Sequence, residues 1–109
     1  MIRQMLYLLK KHGWKIRKIG KKQLYLEDPE DSIRYYISYV EGAKPPILVN
    51  ATYRHSDGFH HPDCEAPWWF NNLKRALAFI LAEELEIYDF AEKLGMEWAF
   101  RGEAGDEDL

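Results

Sequence analysis

The chain has 109 residues, of which 47% are hydrophobic, 30% charged and 15% aromatic. This composition excludes an intrinsically disordered chain, and the length leaves room for one hydrophobic core rather than two. The formal net charge of -3 conceals a division: residues 1–26 hold eight bases and no acid, while residues 27–109 hold the other seven bases and all 18 acids.

One α+β domain over residues 1–101 is expected, followed by a flexible acidic tail over 102–109, where Glu103, Asp106, Glu107 and Asp108 surround Gly102 and Gly105. The longest run without a polar side chain, Ala76 to Ala82, falls far short of the ~20 apolar residues of a membrane span. Met5 to Leu9 is too short for a signal-peptide core and runs into Lys10 and Lys11. The lone cysteine, Cys64, excludes an internal disulfide and fits a reducing compartment, so a cytoplasmic location is expected.

Ile2, Met5, Leu6 and Leu9 recur at i, i+3, i+4 and i+7 and predict a first helix, which Gly13 stops. Trp14 to Ile19 and Gln23 to Leu26 alternate about Gly20-Lys21-Lys22 and predict a β-hairpin. Asp28-Pro29-Glu30-Asp31 makes the next turn. Ile33, Tyr35, Ile37 and Tyr39 then share one face of a strand, with Arg34, Tyr36 and Ser38 on the other. After Gly42 to Pro46 a fourth strand places Ile47, Val49, Ala51 and Tyr53 opposite Leu48, Asn50, Thr52 and Arg54.

His55 to Pro67 has no periodicity and reads as a long loop. From Trp68 to Leu94 a helical stripe of Leu73, Leu77, Ile80, Ile87, Ala91 and Leu94 predicts a second helix, with a break near Glu86 to Asp89. Glu84 falls inside that stripe, so an unbroken helix buries a carboxylate. Met96, Trp98 and Phe100 read as a short strand or a cover. The fold class is thus α+β: a two-layer α-β-β-β-β-α domain, an antiparallel four-stranded meander with two helices on one face.

Three groups of residues are candidates for function. With the helices on the Tyr35 and Ile37 side, the opposite face of the sheet displays Arg17, Tyr25, Arg34, Tyr36 and Arg54, a mixture suited to anchoring a partner. Phe79 and Phe90 lie on the second helix outside its stripe, as a further partner contact, a dimer seam or core. Lys15, Arg17, Lys18, Lys21 and Lys22 form the basic set for nucleic acid. In the histidine-rich loop, His55, His61 and Cys64 are the metal candidates, with His61 and Cys64 at a spacing common in zinc sites. No phosphate loop, nucleophile triad or HExxH motif is present, and no cofactor is expected.

Leu8-Leu9-Lys10-Lys11-His12-Gly13-Trp14, followed by a basic strand and Gly20-Lys21-Lys22, is similar to the opening of HicA-type toxins. These are small RNA-cleaving proteins with a double-stranded-RNA-binding-domain-like fold. The resemblance covers about the first thirty residues and implies RNA as a ligand. The family's catalytic histidine follows the hairpin glycine, where this chain has Lys21 and Lys22, so nuclease activity is not carried over.

The expected function is that of a small non-enzymatic interaction protein that binds and regulates or inhibits a larger protein or nucleoprotein complex, by analogy with phage and mobile-element accessory proteins. The alternatives are an RNA-binding domain and, second, a metal-dependent enzyme at the His55–Cys64 loop. A homodimer is also admitted; a membrane partner is not.

Overall fold

In the computed structural model, residues 1–96 are described. They form helix α1 (Ile2–Lys11), strands β1 (Lys15–Ile19), β2 (Gln23–Glu27), β3 (Ile33–Tyr39), β4 (Ile47–Arg54), β5 (His60–Pro62) and β6 (Trp68–Phe70), and helices α2 (Leu73–Leu85) and α3 (Asp89–Lys93). Trp98, Phe100 and the acidic tail lie outside the described residues. All strand pairs are antiparallel. β1, β2, β3 and β4 follow one another across the sheet, and the far edge of β4 is shared by β5, opposite Thr52–Arg54, and β6, opposite Ile47–Val49.

The α+β meander with helices at both ends of the chain is therefore present. The register stacks Ile16, Leu26, Tyr35 and Ala51 in one inward row, and Lys18, Leu24, Ile37, Val49 and Trp68 in the next. Met5 and Leu9 of α1 and Leu77, Ile80 and Leu81 of α2 join these rows in one core. An aromatic chain runs through it, from Trp14 to Tyr35 to Trp68 to Phe79, with successive ring centroids 6.3, 6.4 and 5.0 Å apart. Among the described residues no helix is long and apolar enough to cross a membrane.

Two expectations need correction. The loop after β4 is not structureless: His55 and Phe59 close a hairpin through the His55 N–H donating to the Phe59 carbonyl at 2.9 Å, and β5 returns along β4. Three-residue strands are too short to show a period, which is why His60–Pro62 and Trp68–Phe70 read as loop and as helix start. Trp68 and Phe70 face inward while Trp69 faces out, as strand parity requires. The helix itself begins only after Asn72, whose side-chain oxygen accepts the Arg75 N–H at 3.0 Å. It ends at Glu86, which holds a left-handed φ of 55°, and α3 follows after the expected break.

The turn joining α1 to β1 depends on Gly13. Its φ of +86° is one that L side chains rarely adopt, and a Cβ there would lie 2.9 Å from Pro29 Cγ in the β2–β3 turn. Gly13→Ala is expected to cost about 1–2 kcal/mol from the left-handed backbone alone, with further loss as Pro29 is displaced. Urea unfolding checks this, and an unchanged midpoint would show that the α1–β1 turn does not hold this conformation.

Candidate functional site

The outer face of the sheet is set by the parity opposite to the core. One row contains Arg17, Tyr25, Tyr36 and Asn50. The next contains Ile19, Gln23, Ser38, Leu48 and Trp69. Tyr36 is 36% exposed, Trp69 43% and Ile19 46%, with Arg17 and Asn50 also exposed. The rings of Tyr25 and Tyr36 meet at 5.3 Å, and the Arg17 guanidinium lies 5.9 Å from the Tyr25 ring centre. This side-by-side arrangement is a direct consequence of cross-strand register.

A polar row borders the aromatic one: Lys15, Glu27, Arg34 and Thr52. Glu27 is nearly buried, yet it accepts a hydrogen bond from the Tyr25 hydroxyl at 2.6 Å and lies 3.5 Å from Lys15 Nζ and 3.9 Å from Arg34 Nε. Burial first, and then the Glu27 carboxylate, push the Tyr25 hydroxyl up to about 12. Arg34 donates through Nε and Nη2 to the two carboxylate oxygens of Asp31, each at 2.8 Å, and this fork holds Asp31 below the usual carboxylate range. His60 completes the border, with Nδ1 3.1 Å from Thr52 Oγ1 and Nε2 3.0 Å from the Asp31 carbonyl. Arg54 donates to the Glu30 carbonyl at 2.6 Å.

Of the expected partner-binding residues, Arg17, Tyr25 and Tyr36 thus form one row. Arg34 and Arg54 are on the same face but are tied to the β2–β3 turn. Phe79 and Phe90 are not on this surface: each is only 8% exposed and belongs to the core, Phe79 against Trp68 and Phe70. Of the readings open for Phe79, a partner contact, a dimer seam or core, the structure gives core, because α2 is buried on all sides from Ala76 to Ala82, between the sheet and its neighbouring helices. Sequence reasoning missed Glu27 and Trp69. Only the cross-strand register places the first among Lys15, Tyr25 and Arg34, and only strand β6 turns the second outward.

The basic set is divided. Lys15 and Arg17 project on the outer side, Lys18 shares an inward row with Leu24, and Lys21 and Lys22 occupy the β1–β2 turn. These five cations therefore do not lie on one face.

The metal candidates part as well. His55 and His61 are neighbours, their ring centroids 4.1 Å apart, with Tyr53 stacked on His55 at 4.7 Å and His61 Nε2 2.8 Å from Asp57 Oδ2. The Phe59 N–H, then His61, hold Asp57 below the usual carboxylate range. Cys64 is exposed. No group of three or more His, Cys, Asp or Glu among the described residues is arranged to hold a metal ion. The hairpin places His55 and His61 together, and Cys64 does not join them in such a group.

Comparison of the chain with protein-family models, curated proteins and solved structures finds no match.

Proposed function

We propose that the protein is a non-enzymatic interaction module that binds a protein partner through the outer face of its sheet. The observation that carries this reading is the exposed apolar and aromatic row pair, Tyr36 with Tyr25 and Arg17 beside Trp69, Leu48 and Ile19, bordered by the fixed ion pairs of Glu27, Arg34 and Asp31. Aromatic and arginine anchors inside a polar rim are the composition of an interface core, where a few residues dominate affinity. The rim is already satisfied internally, so docking does not require its charges to be unpaired first.

The test is capture of a partner by the tagged protein from its native host, followed by affinity measurement with the purified partner. Tyr36→Ala combined with Trp69→Ala is expected to weaken binding at least tenfold, about 1.4 kcal/mol, while Tyr7→Ala, on the exposed side of α1, leaves it unchanged. Equal binding by all three proteins would overturn the reading.

Nucleic acid is the competing outcome, measured by fluorescence anisotropy with single-stranded RNA, duplex RNA and duplex DNA at two salt concentrations. With the cations split between faces and 18 acids in the chain, affinity is expected to be micromolar or poorer at ~150 mM salt and to fall steeply as salt rises. Sub-micromolar binding that is lost in Lys21→Glu/Lys22→Glu would make RNA or DNA the ligand instead.

A further inference from the structure

The lysines that the outer face leaves aside converge on a separate groove. It has a volume of about 300 Å³ and opens where α1, the β1–β2 hairpin, the end of β3 and the start of α2 meet. Its floor is aliphatic, built from Leu6, Leu24, Ile37, Ile47 and Leu73, and its rim carries Lys18, Lys21, Lys22 and Tyr39. We propose that this groove receives an extended acidic segment of the partner protein bearing one bulky aliphatic side chain, which enters the groove while its flanking carboxylates meet the three lysines. The proposal rests on the reading that the protein binds a protein partner, and adds the chemistry of the segment recognised.

Size supports one side chain rather than a large ligand. At ~30 Å³ for each water-sized unit, the groove takes about ten non-hydrogen atoms, a leucine-like side chain with its adjoining backbone. Charge supports an acidic flank. Lys18 and Lys21 have no ion-pair partner among the described residues, and Lys22 has only Glu41, 3.4 Å away and itself largely exposed. So exposed a pair is weak and readily exchanged for an incoming carboxylate. The Lys22 ammonium also lies 5.6 Å from the Tyr39 ring centre, which holds it at the rim.

No acid of α1 or β1 opposes an anion here, since the first 26 residues contain none. The aliphatic floor distinguishes this site from a phosphate track, which needs cations but no apolar pocket. Lysine suits such a place because its methylene stem extends the apolar wall while its ammonium stays in water.

The probe is a fluorescein-labelled octapeptide of Asp and Glu with a single central leucine, titrated by anisotropy at ~150 mM salt. Saturable binding is expected, weakened at least tenfold when the leucine becomes serine, and at least tenfold by Lys18→Glu/Lys21→Glu in a protein whose circular dichroism and melting are unchanged. Tyr36→Ala/Trp69→Ala should bind the peptide as the wild type does.

The proposal is overturned by no binding up to ~1 mM peptide. Equal affinity for the serine peptide, indifference to the lysine changes, or displacement by an oligonucleotide but not by unlabelled peptide would each overturn it as well. If sheet-face variants abolish partner capture while the lysine variants leave peptide binding intact, the groove proposal fails and the interaction reading stands. If sheet-face variants leave partner capture unchanged, the interaction reading fails, whatever the peptide does.

Discussion

Ile37→Ala is expected to lower stability by about 2–5 kcal/mol, whereas Tyr36→Ala, one residue earlier in the same strand, is expected to cost about 1 kcal/mol or less. Ile37 is 3% exposed and sits between Leu24 and Val49 in an inward row, under α1 and α2. Truncating it removes transfer energy and leaves a cavity that a close-packed interior cannot readily collapse. Tyr36 loses its ring contact with Tyr25, its hydroxyl's interaction with the Arg34 guanidinium and a partly wetted surface, none of them buried in the core. Urea unfolding of both variants measures the difference. Equal costs would mean that the outer face is covered, which would remove the interaction surface along with the layer arrangement.

The same parity explains how much of the fold is legible in the sequence. Strands β3 and β4 alternate over seven and eight residues, long enough for period two to fix both their existence and their faces. This makes Tyr36 legible as an outward residue and Ile37 as core. Helix α1 is legible for the same reason at period 3.6. What cannot be read depends on cross-strand register or on short elements.

Arg34 and Arg54 have the outward parity of a free anchor, but their carbonyl and carboxylate partners lie in the β2–β3 turn and only the folded turn brings them into reach. That turn is built by Asp28, whose carboxylate accepts the Ile33 N–H at 2.9 Å and also bonds the Ser32 hydroxyl. His60 and His61 are adjacent in sequence and read as residues of one loop. As members of β5 they point to opposite faces, one to Asp31 and one to Asp57. The lysine groove is equally hidden, because Leu73 of α2 and Leu6 of α1 close it from elements distant in sequence.

Tyr35→Phe is expected to cost about 1.5–3 kcal/mol near neutral pH, the range for a lost hydrogen bond to a charged group, although it removes one oxygen. The helical phase of Glu84 places it among the apolar residues of α2. Its partner, 49 positions earlier in the chain, is the Tyr35 hydroxyl, which donates to Glu84 Oε2 at 2.6 Å. Burial pushes the Glu84 carboxyl above its usual value; the Tyr35 hydrogen bond opposes that shift, and the nearby carboxylates of Asp28 and Asp63 add to it. Tyr35 is itself pushed above the ordinary tyrosine value, by burial first and Glu84 second, so its hydroxyl keeps its proton to donate at neutral pH and below.

A carboxyl whose pKa is raised on folding contributes most stability below its unfolded value and loses that contribution as pH rises through its folded value. Glu84→Gln keeps an oxygen acceptor for Tyr35 and removes the charge. It is therefore expected to be more stable than the wild type at pH 7, with the two converging once the pH falls below the ordinary carboxylate range. In the Glu84→Gln background the cost of Tyr35→Phe should shrink to about 1 kcal/mol, the value for a neutral hydrogen bond. Urea unfolding of the four proteins at pH 7 and at about pH 3, below the ordinary carboxylate values, supplies the double-mutant cycle. A Glu84→Gln variant less stable than the wild type at pH 7 would show that the Tyr35 hydrogen bond outweighs desolvation, and that the folded protein favours the ionised carboxylate.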